Sequence, residues 1–219
     1  MKKNILFLVM MAVTMTAQAQ YEEGDLTIQP RVGVTFSTIS GSDLLSDDAK
    51  MKTNLTYGFE LEYFLMDKLS VAGGLLFTNQ GYKFDYYESV YLYQSVDVTN
   101  TNKITAKFDN YYATVPITIN YYLIEGLAIK AGVQPAFRVK TRLNTGDEKL
   151  DLDKTLDFLF PNQDVTLNKF DLSIPVGFSY EYNHITFDAR YNFGLIKLFK
   201  GIDGSSHNRV ITLTLGYKL

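Results

Sequence analysis

The last ten residues of the chain, 210–219, read VITLTLGYKL and alternate apolar with polar or small side chains. In an extended segment one face of this stretch is apolar and carries Ile211, Leu213, Leu215, Tyr217 and Leu219. Just upstream, residues 185–195 read ITFDARYNFGL with the same period of two. Only Asn183 and His184 separate that stretch from a third alternating one at 170–182. The C-terminal part of the chain therefore predicts antiparallel strands joined by a tight turn.

The same period recurs upstream, and eight segments show it: about 28–36, 55–65, 69–82, 111–123, 127–139, 170–182, 185–195 and 210–219. Their connections alternate in length, with short ones at 66–68, 124–126 and 183–184 and long ones at 40–53, 85–107, 141–169 and 196–207. This pattern predicts an all-β, eight-stranded antiparallel up-and-down barrel with both termini on the short-turn side. Pro116, Pro135 and Pro175 fall inside segments. Because proline lacks a ladder donor, we expect a bulge at each.

Composition limits the classes of function. Of the 219 residues 46% are hydrophobic and 21% are charged, and the formal net charge is −3. These values exclude a disordered acidic segment and a nucleic-acid binder. The absence of cysteine excludes a disulfide scaffold, a thiolate metal site and a lipid anchor on cysteine.

The N-terminus has the pattern of an export signal. Lys2 and Lys3 precede an apolar run at 5–13, which is shorter than the roughly 20 residues of a membrane helix. Ala17 and Ala19 are small residues at the positions that signal peptidase reads. We expect residues 1–19 to be a cleaved signal peptide and residues 20–219 to form one barrel domain.

Periodicity alone does not say which face of the barrel meets solvent, so a secreted barrel of lipocalin type is the alternative to a membrane barrel. The apolar face carries almost no charge, and its aromatic residues fall near the segment ends in two belts, as in the girdles of outer-membrane barrels. The tyrosines that we assign to these girdles are Tyr57, Tyr63, Tyr111, Tyr121, Tyr180, Tyr182 and Tyr217. The pattern favours an integral outer-membrane barrel with short periplasmic turns and long extracellular loops.

The polar face contains charges of both signs, which we assign to the lumen: Arg31, Glu60, Glu62, Lys130, Arg138, Lys140, Asp171, Glu181, Asp188, Arg190 and Lys218. The interior of an eight-stranded barrel is just filled by side chains. We therefore predict a structural plug of mutually neutralising ion pairs, and a narrow ion path is the alternative.

Candidate catalytic residues are few. Asp203, Ser205, Ser206 and His207 bring the residue types of a hydrolytic triad together in one loop, but triad geometry usually comes from separated elements. His184 falls in a short turn, and the acidic run at 147–153 is typical of a solvated loop. We predict no catalytic residue, no cofactor and no metal site, and a lipid-modifying enzyme is the remaining alternative.

Several motifs on the predicted strands resemble one known family: YATVPI at 112–117, LAIKAG at 127–132, GFSYE at 177–181, RYNFGL at 190–195 and LTLGYKL at 213–219. With these motifs the mature chain is similar to the PorT-like outer-membrane β-barrel family, common in Bacteroidetes. The resemblance implies an outer-membrane barrel and allows a role as a transport protein or as an accessory to export. It supplies no catalytic residue. One departure is that the chain ends in Leu219, where assembly signals usually end in Phe.

The expected partners follow from the barrel. They are outer-membrane lipid, the barrel-assembly machinery and a protein or glycan bound by the long loops, and we expect no nucleic acid and a monomeric protein. Segments 85–107 and 141–169 are the longest loops, and the first contains Tyr86, Tyr87, Tyr91 and Tyr93. Tyrosine offers apolar area with a polar tip, which suits such contacts.

Overall fold

The computed structural model describes residues 21–41, 49–88, 102–145, 148–150, 166–200 and 206–219. The predicted signal peptide, residues 1–19, lies outside these residues. No helix among the described residues is long and apolar enough to cross a membrane.

The described residues form twelve strands, all in antiparallel pairs. They are β1 (Leu26–Gly41), β2 (Lys50–Met66), β3 (Leu69–Glu88), β4 (Asn102–Thr114), β5 (Ile117–Ile124), β6 (Leu127–Thr145), β7 (Glu148–Leu150), β8 (Thr166–Leu167), β9 (Phe170–Tyr182), β10 (Ile185–Lys197), β11 (Phe199–Lys200) and β12 (Ser206–Tyr217). The three shortest are accessories, because β7 pairs with the end of β6 and β8 pairs with β11.

The sheet closes on itself because β1 pairs with both β2 and β12. From β2 the ring continues through β3 to β4 and β5, then to β6, β9, β10 and β12. β4 and β5 are two parts of one wall strand, separated at Val115 and Pro116. The predicted eight-stranded antiparallel up-and-down barrel is therefore confirmed.

The stagger of the strands fixes the shape of the barrel. A path that starts at Tyr63 of β2 and steps from each residue to its partner on the next strand returns to β2 at Thr53, ten residues from the start. The residues on this path are Tyr63, Val71, Ile119, Ala131, Val176, Tyr191, Ile211, Phe36 and Thr53. With eight strands, a stagger of ten residues corresponds to a strand tilt of about 40°. A barrel of this kind has an interior that side chains fill.

Burial is inverted relative to a water-soluble protein. Most buried residues of the described part of the chain are polar or charged, whereas the large apolar side chains point outward. On β2, for example, Glu60 and Glu62 are 1% and 2% exposed, while Leu61 between them is 42% exposed. An apolar outer wall of this extent is the lipid-facing surface of a membrane barrel and would aggregate in water.

The three predicted tight turns are present, at 67–68, 125–126 and 183–184. Asn183 and His184 both have positive φ, 48° and 66°, which is the backbone of the two-residue hairpin turns that match strand twist. We call this side of the barrel the short-turn end.

The long connections are shorter than the sequence predicts. β3 and β4 remain paired up to Glu88 and Asn102, inside the segment predicted as a loop at 85–107. β6 likewise extends to Thr145, and His207 lies in β12 opposite Lys197. In the β3–β4 extension the apolar face changes side, because the paired residues Tyr82 and Phe108 are buried whereas Phe77 points outward.

The prolines fit the bulge prediction only in part. Pro116 lies at the break between β4 and β5. Pro135 and Pro175 lie within β6 and β9 and pair with Leu172 and Asn192 without a register shift, so the bulge prediction is wrong for both. Beside Pro175 the pairing of β6 with β9 is interrupted between Ala131–Val176 and Gln134–Ser173, and the register is the same on both sides of the interruption. The interruption accommodates the backbone hydrogen-bond donor that proline lacks.

Candidate functional site

The middle of the lumen holds five charged side chains, Arg31, Glu60, Lys130, Asp188 and Arg190, which we call the mid-lumen cluster. Arg190 donates Nη1 and Nη2 to the two carboxylate oxygens of Glu60 at 2.6 and 2.7 Å, and its Nε lies 2.7 Å from Oδ1 of Asp188. Arg31 Nε lies 3.0 Å from Glu60, and Lys130 Nζ lies 2.9 Å from Asp188. All five side chains are 1–3% exposed, so the cluster excludes water.

Glycines on the inner wall make room for this cluster. A Cβ on Gly74 would lie 2.5 Å from Cγ of Glu60. Gly177 pairs with Lys130 on one side and Arg190 on the other, and a Cβ there would collide with the backbone of Ala189 and Arg190. Gly74 therefore leaves room for the side chain of Glu60, whereas Gly177 lets the backbones of β9 and β10 approach closely at the level of the cluster.

A second group of polar side chains fills the lumen near the short turns. Lys218 Nζ lies 3.1 Å from Oε2 of Glu62 and 2.7 Å from Oε2 of Glu181. Tyr122 donates its hydroxyl to Oε1 of Glu62 at 2.8 Å, and Tyr21 donates its hydroxyl to Oε1 of Glu181 at 2.6 Å. We call these five residues the short-turn cluster.

Tyr21 precedes the first strand and closes the mouth of the barrel. Its ring stacks on Phe64 with centroids 4.5 Å apart, and Lys218 Nζ lies 4.3 Å from its centroid. Burial, the hydrogen bond to Glu181 and the charge of that carboxylate raise the pKa of Tyr21 well above its usual range. The tyrosine therefore stays protonated and keeps donating to Glu181.

Charge balances over the two clusters together. The mid-lumen cluster has three cations and two carboxylates, whereas the short-turn cluster has one cation and two carboxylates. Gln29 joins them, because it accepts from Arg31 at 2.7 Å and donates to Glu62 at 2.8 Å. Four cations thus face four carboxylates in one connected network, and this balance is what makes the burial of eight charges tolerable.

Two predicted lumen charges lie apart from this network, toward the long-loop end. Arg138 donates to Thr141 and to the backbone carbonyls of Leu167 and Asn168. Asp171 accepts from Asn208 at 2.8 Å. These groups tie the upper wall of the barrel together.

Lys140 is not in the lumen, which corrects its predicted position. Tyr111 pairs with Lys140 and Tyr112 pairs with Arg138, so that Val139 is an extra residue on β6. An extra residue reverses the alternation beyond it. Lys140 is consequently exposed on the outer wall.

The predicted girdle tyrosines lie on the outer wall. Tyr63, Tyr121, Tyr182 and Tyr217 are 44–48% exposed near the short-turn end, and Tyr180 is half-buried beside them. At the other end Tyr57 is 59% exposed, and the centroid of its ring lies 5.8 Å from that of Phe77. Tyr111 is half-buried at the same end.

Several inward aromatic residues were not predicted from the sequence, among them Tyr21, Phe64 and Tyr122. The inward position of Tyr122 could have been predicted, because it follows Thr118 and Asn120 at every second residue and those two residues face the lumen. Tyr21 has no such signal, since it precedes the first alternating segment.

Two of the four triad candidates, Ser206 and His207, lie within the described residues. Ser206 and His207 are consecutive residues of β12, and Ser206 is 1% exposed on the lumen side, so His207 points to the opposite face. Asp203, Ser205 and the acidic positions 147, 151 and 153 lie outside the described residues. In the part of the chain that is described, no group of three metal-ligating side chains occurs.

A closed eight-stranded barrel with an apolar outer wall, aromatic belts and a polar filled interior is an outer-membrane β-barrel. The chain belongs to the family described as outer membrane protein beta-barrel domain, which matches residues 17–200. The protein accordingly resides in the outer membrane, with the short turns on the periplasmic side.

Several solved structures are similar to this chain. Ail, the attachment invasion locus protein of Yersinia pestis, is 16% identical with a TM-score of 0.48, covering 90% of this chain and 99% of that one. OprG from Pseudomonas aeruginosa is 15% identical with a TM-score of 0.47, covering 92% and 99%. Neisserial surface protein A is 14% identical with a TM-score of 0.45, covering 89% and 96%. No curated protein matches the chain.

Proposed function

We propose that the protein is a non-enzymatic surface barrel that binds a partner through its extracellular hairpins, above all the one formed by β3 and β4. The observation that carries this proposal is the length of that hairpin. Among the residues of β3 whose side chains are described, Phe77 is the last apolar one that points outward, yet the ladder continues to Glu88 and Asn102. The paired stem therefore extends about 28 Å beyond the apolar wall, at about 3.3 Å per residue and a 40° tilt.

Two lysines of this stem suit a protein or glycan that carries acidic groups. Lys83 of β3 pairs with Lys107 of β4. Like charges directly opposite one another destabilise a ladder. An acidic partner would relieve this repulsion, so partner binding would also stabilise the hairpin.

The filled lumen supports a role outside the barrel. The carboxylates and cations of the mid-lumen cluster leave no more than 3% of their side chains exposed. A conducting path would need hydrated charges at this level. The opposed faces of Ser206 and His207 likewise support a protein without hydrolytic activity.

Within its family, we infer that the chain lies with the PorT-like barrels. The motifs that support this inference fall on β4, β5, β6, β9, β10 and β12. A role as an export accessory would use the same extracellular hairpins.

The direct test is site-specific photo-crosslinking in intact cells. A photoreactive amino acid at Lys107, on the β3–β4 stem, is expected to give a discrete covalent adduct. The matched control is Lys197, an exposed lysine at the extracellular end of β10. Equal labelling at both positions, or none at Lys107, would contradict the hairpin as the binding element.

Single-channel recording tests the closed lumen separately. We expect the purified protein in planar bilayers to give no conductance steps above the baseline of protein-free membranes. Regular steps that disappear on heating the protein would favour a narrow channel instead.

A further inference from the structure

The outer wall of the barrel contains a groove of about 660 Å³ near its extracellular rim, between β2, β3, β4 and β6. Its lower part is apolar and is lined by Leu55, Tyr57, Phe77 and Val139. Leu55 and Val139 are 69% and 70% exposed. The volume lies in the range of sites that hold small ligands, and the open side faces the lipid.

Two irregularities of the sheet create this groove. The ladder between β2 and β3 is interrupted between the pairs Met51–Tyr82 and Thr56–Thr78. At the interruption, the side chain of Thr35 on β1 donates a hydrogen bond to the carbonyl of Asn79 on β3. β1 and β3 therefore contact each other directly at a point where β2 would normally separate them. The second irregularity is the extra residue on β6, which turns Lys140 outward.

The upper edge of the groove is cationic. Lys140 and Arg142 both line it and are exposed, and Arg142 Cζ lies 5.6 Å from the centroid of the Tyr111 ring. Asp109, the residue paired with Arg142, already accepts from Lys52, Asn79 and Asn144. Among the described residues, neither Lys140 nor Arg142 forms a salt bridge.

From this arrangement we propose that the groove binds an anionic lipid of the outer leaflet that carries phosphate groups. Lys140 and Arg142 lie just beyond the last outward apolar residue of β6, Val139, at the level where phosphate groups meet the aromatic belt. Arginine recognises phosphate through charge-assisted hydrogen bonds. Acyl chains of the same lipid would cover Leu55, Tyr57 and Phe77, so one amphipathic molecule satisfies both parts of the groove. The site is on the barrel wall, and the proposal does not require that the extended β3–β4 stem binds a partner.

The proposal is tested by measuring lipid retention with native mass spectrometry. The folded protein is titrated in detergent with diphosphoryl lipid A, phosphatidylglycerol, phosphatidylcholine or inorganic phosphate. The double variant Lys140→Gln/Arg142→Gln removes the cationic edge. The control, Lys68→Gln/Lys197→Gln, removes two exposed lysines that lie away from the groove, one in the short turn between β2 and β3 and one at the end of β10.

We expect one phosphorylated lipid to be retained, with an affinity about tenfold lower in the groove variant, since two charge-assisted contacts are lost. The control should change less than about twofold, as for charges that contact no ligand. The exchange Lys140→Arg/Arg142→Lys keeps both charges and should keep most of the affinity. Equal retention of phosphatidylcholine, equal losses in both double variants, or competition by inorganic phosphate at equal concentration would overturn the proposal.

Discussion

Replacing Glu60 by glutamine probes the lumen network most directly. Glu60 is 1% exposed and receives two hydrogen bonds from Arg190 and one close contact from Arg31. Glutamine keeps the shape of the side chain and removes its charge. Three cations of the mid-lumen cluster then face Asp188 alone, which raises the cluster from one excess positive charge to two. A buried charge left without its partner costs about 3–5 kcal/mol, and we expect a destabilisation of this size.

Arg190→Met should partly reverse the effect of Glu60→Gln. In the double variant Arg31 and Lys130 face Asp188, so the cluster returns to the single excess positive charge of the natural protein. The double variant should therefore be more stable than Glu60→Gln alone, with a coupling free energy of about 2 kcal/mol or more.

The measurement is urea unfolding of the barrel in detergent, followed by the loss of compact gel mobility. Glu23→Gln is the matched control, because Glu23 is exposed before the first strand, and it should shift the free energy of unfolding by less than about 0.5 kcal/mol. If the losses of Glu60→Gln and Arg190→Met simply add, the charges are separately hydrated and the reasoning from a dry network fails.

Three further predictions concern the wall, the mouth and the N-terminus. Val176→Arg, at mid-barrel, should cost about 2–4 kcal/mol in lipid, whereas Val139→Arg near the interface should cost about 0–1 kcal/mol; equal costs in vesicle refolding would contradict the lipid-facing wall. Tyr21→Ala should make the segment before β1 more sensitive to added protease than Tyr21→Phe, which keeps the stack on Phe64; equal rates would mean that Tyr21 does not close the mouth. Mass spectrometry of the membrane-extracted protein should find 200 residues beginning with Gln20, and an intact N-terminus would contradict the signal peptide.

The sequence predicts the membrane-facing part of this fold well because each wall residue there meets either lipid or lumen. That constraint makes alternation visible in β10 and β12, and it places Glu60, Asp188 and Arg190 on the inner face. Which lumen residues meet is a different matter, because the pairing depends on the stagger of the strands, and no local pattern encodes the stagger.

Prediction fails where that constraint ends. The β3–β4 stem lies beyond the apolar outer wall, and its residues Tyr82 and Phe108 are buried inside instead of facing outward. At Val139 one extra residue moves Lys140 from the predicted lumen to the outer wall. Tyr21 enters the lumen from outside the strands, so strand periodicity gives no information about it.

The polar lumen also follows from how such a chain reaches its membrane. An apolar lumen would avoid buried charge, and on β10 it would require apolar residues at Thr186, Asp188, Arg190 and Asn192. Together with the lipid-facing residues, these would make a continuous apolar run from Ile185 to Ile196. Further apolar replacements on neighbouring strands would bring the chain close to the roughly 20 residues that arrest a segment in a bilayer as a helix. Alternation keeps every strand exportable, and the barrel that then closes must neutralise its inner charges in pairs. The balanced network of four cations and four carboxylates is the form that this requirement takes here.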